Sequence, residues 1–266
     1  MALNMSIFCQ MQPSCAIQPF RIPRLDSLTL RHGLMHSRDL GDDRKTQQEH
    51  QERSMTTLLF WAAAACALAY LPLTAHQAST PRSVLKTASV ALLAVIAMLA
   101  SGPWLLLLAL ILCATGDALL SRETDATFMA GIGAFAAGHL AYIALFLTHP
   151  GSDPALIFDQ PVIFWSLIVL GIVMATLLAP RAGDLKGPVL AYIPIILGMG
   201  ISVLALPDIG ALRWALPAAM AFIASDLILA TEKFLLAADH RALKFTPYMV
   251  WPLYWGAQAG FLIAFT

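Results

Sequence analysis

Apolar residues gather along this chain into eight blocks, at 57–75, 83–100, 103–121, 128–147, 161–179, 187–206, 214–237 and 247–265. Each approaches the roughly 20 apolar residues that a helix needs to cross a bilayer. The breaks between them hold Pro81, Gly102-Pro103, the PGSDP run at 150–154, Pro180, Gly187-Pro188, Pro207 and Pro247, residue types that interrupt helices. The pattern predicts an all-α polytopic membrane protein with eight transmembrane helices, neighbours antiparallel because the connections are short. Residues 1–54 lack such a block and close on QQEHQER. They read as a disordered extension ahead of an eight-helix domain at 55–266. Met55 opens the first block directly as MTTLLFWAAA, so it reads as a natural start, with a mis-set start upstream. A transit peptide is the other reading, and Asp26, Asp39, Asp42, Asp43, Glu49 and Glu52 stand against it.

Composition agrees with the pattern. The chain is 59% hydrophobic and 12% charged, with mean hydropathy +0.72, against about 45–50% and about 25% in soluble domains. A formal net charge of zero excludes the basic surface of a nucleic-acid binder. Cys9, Cys15, Cys66 and Cys113 form no CxxC pair and no Cys/His cluster, so neither a disulfide framework nor a zinc site is expected.

Charge position predicts orientation. The odd loops carry Arg82, Lys86, Arg122, Arg181, Lys186, Lys233, Arg241 and Lys244, whereas the even loops carry only Arg213. The odd-loop side is therefore expected to be cytoplasmic, and the setting a bacterial inner membrane. The basic residues before Met55 oppose this orientation, and a start at Met55 removes the conflict. ATGDALLSRE at 114–123 can be laid against IASDLILATE at 223–232. This allows two parallel four-helix repeats, with chance in an Ala/Leu-rich chain as the plain alternative.

Polar residues inside the blocks carry the chemistry, because an ionisable group within a span costs about 2.5–3.5 kcal/mol on insertion scales. They are Lys86, Asp117, His139, Tyr192, Asp226 after Ser225, and Tyr254 with Gln258 one turn on. Counting residues from the odd-loop end puts Asp117 roughly 6 Å deep, and His139 and Gln258 roughly 15 Å. Six helices thus send polar groups into one half of the membrane, which predicts one cavity open toward the odd-loop side. Each residue also has a plainer reading. Asp117 could pair with Arg122 at the interface, and Asp226 with Lys86 as a packing device. Lys86 could be a loop charge, His139 a satisfied core histidine, and Trp251 part of an aromatic belt. Gly131, Gly133 and Gly138 are expected to let helices approach closely.

The motifs have a familiar joint order. A Lys in the second block is followed by GD-x-L-L in the third and by Gly131, Phe135, Gly138-His139 and Tyr142 in the fourth. Pro188-x3-Tyr192 opens the sixth, Ser225-Asp226-x3-Ala lies in the seventh, and Tyr254-x2-Ala257-Gln258 in the eighth. Together, over about residues 57–265, they resemble the YhhN-like family, which includes the animal lysoplasmalogenases. The resemblance implies a membrane-embedded hydrolase that cleaves the vinyl ether of a lysoplasmalogen or related lysolipid to a fatty aldehyde and a glycerophospho-headgroup. It implies Asp117 and Asp226 as the catalytic pair, with Lys86, His139, Tyr192, Ser225, Tyr254 and Gln258 toward substrate. Lysolipid and membrane lipids would be the partners.

The residue types suit this reaction. Vinyl ether hydrolysis protonates an alkene carbon, forms an oxocarbenium ion and adds water. It asks for one protonated carboxyl and one carboxylate, as glycosidases do, and needs no metal or organic cofactor. Asp226, the deeper by residue count, is the expected acid and Asp117 the base or cation stabiliser, with Lys86 on the lipid phosphate. Two intramembrane acids and a histidine also suit a proton-coupled transporter, although no polar path continues into the other leaflet. A lipid-sensing protein without turnover is a third reading.

Overall fold

In the computed structural model, residues 27–74, 79–122, 124–237 and 239–266 are described, and their regular elements are helical. The long helices are α1 (Ser27–Tyr70), α2 (Thr80–Leu99), α3 (Trp104–Leu120), α4 (Asp125–Thr148), α5 (Pro161–Leu178), α6 (Lys186–Ser202), α7 (Ala215–Phe234) and α8 (Thr246–Phe265). Every predicted block coincides with one of them. Six meet the length and apolarity of a membrane span: His50–Leu73, α2, α4, α5, Gly183–Ala205 and Gly210–Phe234. At 17 residues α3 is short, and α8 is diluted by Pro252, Tyr254, Trp255 and Gln258. The chain is a multi-pass membrane protein; among the described residues six rather than eight helices qualify on length and composition.

The extension departs from expectation. Residues 27–54 are helical within α1, where disorder was predicted. No proline interrupts the chain between Pro23 and Pro72, and its Lys, Gln, Glu and Arg residues are good helix formers. Residues 1–26 lie outside the described residues. By internal contacts the chain divides at His50, and everything below concerns His50–Thr266.

Breakers act at helix starts. Pro81 and Pro247 occupy the first turns of α2 and α8, where a missing N–H costs nothing. Pro103 is the N-cap residue of α3, and the Thr124 side chain caps α4 by accepting from Thr127 N–H. Pro194 and Pro252, by contrast, sit inside α6 and α8, each two residues from a site tyrosine. Each removes one helical hydrogen bond there.

Small residues let α3 and α4 close together. A Cβ on Gly138 would lie 2.9 Å from Cys113 Sγ, one on Gly131 2.7 Å from Leu120 Cδ2, and one on Gly116 2.7 Å from the Phe135 ring. Gly133 meets nothing within 4 Å, so it plays no part in the close approach expected of it. Gly116 precedes Asp117, and Phe135 stands edge-on to Tyr254 at 5.7 Å. Gly116→Ala is therefore expected to displace Phe135, cost about 1–3 kcal/mol by overpacking and loosen Tyr254. Thermal unfolding in detergent checks the first effect, and the activity of the surviving folded fraction checks the second.

Candidate functional site

Polar side chains from α2, α3, α4, α6, α7 and α8 converge in two clusters beside one cavity of about 400 Å³. The first cluster is built on Asp117 near the end of α3. Its side chain is 0% exposed, with Oδ1 3.0 Å from Lys86 Nζ of α2. That contact is an ion pair without aligned hydrogen-bond geometry. Tyr254 OH of α8 donates to Asp117 Oδ2 at 2.7 Å. The Tyr254 ring is wedged between Phe135 at 5.7 Å and Phe222 at 5.3 Å. Burying a carboxylate is costly unless a cation and hydrogen bonds meet it, and Lys86 and Tyr254 supply both.

The second cluster is built on Asp226 of α7, whose side chain is 19% exposed. Tyr192 OH of α6 donates to Oδ2 at 2.6 Å. His139 Nε2 of α4 lies 3.7 Å from the same oxygen and 3.5 Å from Tyr192 OH. Ser225 Oγ stands 2.8 Å from Phe222 O and 3.2 Å from Asp226 Oδ1. A hydroxyl has one hydrogen. Ser225 can therefore give it to Phe222 O or to Asp226 Oδ1, not to both at once. Asp226 thus meets two hydroxyls and the His139 ring, whereas Asp117 meets an ammonium and a phenol.

Phe222 joins the clusters, touching the His139 ring at 4.5 Å and Tyr254 at 5.3 Å. It lies one turn before Asp226 on α7, a spacing that places both on one face. That offset was its only sequence signal. Tyr70 of α1 also lines the cavity and was not expected, because the apolar part of α1, residues 54–70, carries no charge to mark a functional face.

Several expected placements change. Asp117 pairs with Lys86, not Arg122, and Lys86 is neither a loop charge nor a partner of Asp226. Asp117, counted as the shallower acid, is the more enclosed one. Lys86, Tyr192, Ser225 and Tyr254 line the cavity. His139 and Gln258 are 0% exposed and sit behind the lining: His139 reaches Asp226, while Gln258 Oε1 accepts from Tyr142 OH. Gln258 is therefore not among the residues that line the cavity. Trp251 is 4% exposed, packs on Tyr70 at 4.4 Å and donates Nε1–H to Ala67 O at 2.9 Å. It pins α8 to α1 and does not belong to an outer belt.

Among the described residues the cavity lining stops short of Gln258. Beyond it rings pack together, with Tyr142 against Phe261 at 4.3 Å and Phe146 against Phe261 at 5.5 Å and Phe265 at 5.8 Å. At the other end, Arg82, Glu232 and Lys233 stand among the lining residues, close to the starts and ends of α2 and α7. The site is an apolar hollow with Asp117, Asp226, the paired Lys86 and three phenols on its wall, and with Arg82, Glu232 and Lys233 at the other end. Among the described residues no group of three or more His, Cys, Asp or Glu could hold a metal ion.

No curated protein and no solved structure matches the chain. The sequence model of the YhhN family matches residues 81–265, a stretch that carries both aspartates and every polar partner just described. The chain belongs to the YhhN family.

Proposed function

We propose that the protein hydrolyses the vinyl ether bond of lysoplasmalogen or a related lysolipid. Family membership supports this class of reaction. The observation that carries it is a pair of aspartates with contrasting partners on one membrane-level cavity. Asp226, hydrogen-bonded to Tyr192 and Ser225 with no Lys or Arg paired to it, is the acid. It transfers its proton to the alkene carbon distal to the ether oxygen. The π electrons form that C–H bond, and the ether oxygen shares the resulting positive charge as an oxocarbenium ion. Asp117, held ionised by Lys86, stabilises that cation and takes a proton from the attacking water. The new C–O bond gives a hemiacetal. Its collapse breaks the bond to the glycerol oxygen, which takes up a proton, and releases the aldehyde. His139 and Tyr192 stand where they can return a proton to Asp226.

We read the eight blocks as eight spans, with α3 and α7 parallel and the cavity on the cytoplasmic side of a bacterial inner membrane. In that arrangement a lysolipid in its leaflet brings the bond below its phosphate to the level of the aspartates. Lys86 is engaged with Asp117, so the phosphate falls to Arg82 and Lys233 at the mouth. Proton-coupled transport is the competing reading, and the packed rings beyond Gln258 disfavour it.

The test supplies purified protein with a vinyl ether lysolipid and, separately, with its saturated alkyl counterpart. Aldehyde release from the first alone is expected. Release from neither, together with proton-linked solute uptake in proteoliposomes, would replace this reading with the transporter.

A further inference from the structure

The cavity is also lined by an apolar set of residues from α5, α6 and α7, termed the arm below. Leu170, Gly171 and Met174 line it from α5, Ile193 and Leu197 from α6, and Leu227 from α7. None of these side chains offers more than a thioether as a polar atom. The outer face of α5 is apolar and exposed at Trp165, Val169 and Ile172, as a lipid-facing helix requires. Apolar hollows stay dry, so hydrocarbon is the matching occupant. The arm and the acids share one cavity: Tyr192, Asp226 and Asp117 line it together with Ile193 and Leu227. A molecule reacting at the carboxyls therefore has its apolar continuation beside these residues.

We propose that this arm binds the hydrocarbon chain of the substrate, and that Gly171 and Leu197 together set how much chain it accepts. The inference rests on the lysolipid reading of the site. Gly171 leaves the width. A Cβ there would stand 2.5 Å from Leu197 Cδ1, a separation that real Cβ atoms do not show. Leu197 is 8% exposed and lines the arm, so a methyl group on residue 171 forces the leucine side chain to shift and itself takes up width in the arm.

The experiment compares Gly171→Ala, Leu197→Ala and their combination on short-chain and long-chain vinyl ether lysolipids. Binding of the uncleavable saturated alkyl lysolipid is measured in parallel. Gly171→Ala is expected to lower kcat/KM on the long chain about tenfold or more, the scale at which a hydrophobic pocket discriminates a methylene. Loss on the short chain should stay under about threefold. The double variant should recover the long chain, which a folding defect would not. Equal losses on both chains, or no recovery, would overturn the chain arm. Binding that depends on residue 171, without turnover of either chain by the parent, would retain the arm and overturn the reaction. Neither binding nor turnover by the parent would overturn both.

Discussion

Asp226→Asn is expected to lower aldehyde release by about a hundred- to ten-thousand-fold, the range for losing a general acid. The substitution is nearly isosteric. An amide oxygen still accepts from Tyr192 OH, now 2.6 Å from Oδ2, and no cation is stranded. Folding and lysolipid binding should therefore survive, and the loss should fall on kcat with KM little changed. Asp117→Asn should be comparably inactive. Combining the two should cost little beyond the worse single variant, because groups acting in one step are not additive. Rapid-mixing kinetics with trapped aldehyde checks all three. An Asp226→Asn protein with ordinary turnover would remove Asp226 from the reaction.

Lys86→Met carries the largest expected effect on stability. It leaves the Asp117 carboxylate, 0% exposed, with Tyr254 as its remaining partner. Removing one member of a buried pair costs about 3–5 kcal/mol, because the surviving charge stays desolvated. The double variant Lys86→Met/Asp117→Asn should regain most of this loss, since the amide needs no counter-charge and Tyr254 OH can still donate to it. It should nevertheless stay inactive. Unfolding temperature in detergent, read alongside turnover, separates the two contributions. If Lys86→Met alone unfolds like the parent, the ion pair does not hold Asp117 in place.

The helical plan was legible because a bilayer enforces it. Spans must be long, apolar and internally hydrogen-bonded, so hydropathy and prolines located α2 to α8 within a few residues, while the start of α1 lay far upstream of its block. The cavity was legible for a related reason. Polar groups inside spans are costly and face inward, and their residue counts sorted them into one half of the membrane. Partner choice was not legible. Lys86 and Asp117 lie on neighbouring helices, yet which acid takes the lysine depends on helix rotation, a property that single-helix periodicity does not fix. Burial followed packing and not residue count: Phe135 and Phe222 pack on Tyr254, which donates to the buried Asp117, while Asp226 retains an exposed edge. Trp251 illustrates the same limit, because an indole near a span end suits a lipid interface or a contact with Ala67 equally well.

The central claim is proton transfer from a carboxyl to an alkene carbon, and heavy water reads that step directly. Single-turnover cleavage of a vinyl ether lysolipid in heavy water, with immediate trapping of the aldehyde, should place one deuterium on the carbon next to the carbonyl. The yield should collapse in Asp226→Asn. Aldehyde without that deuterium, or labelled aldehyde formed equally well by Asp226→Asn, would contradict the account.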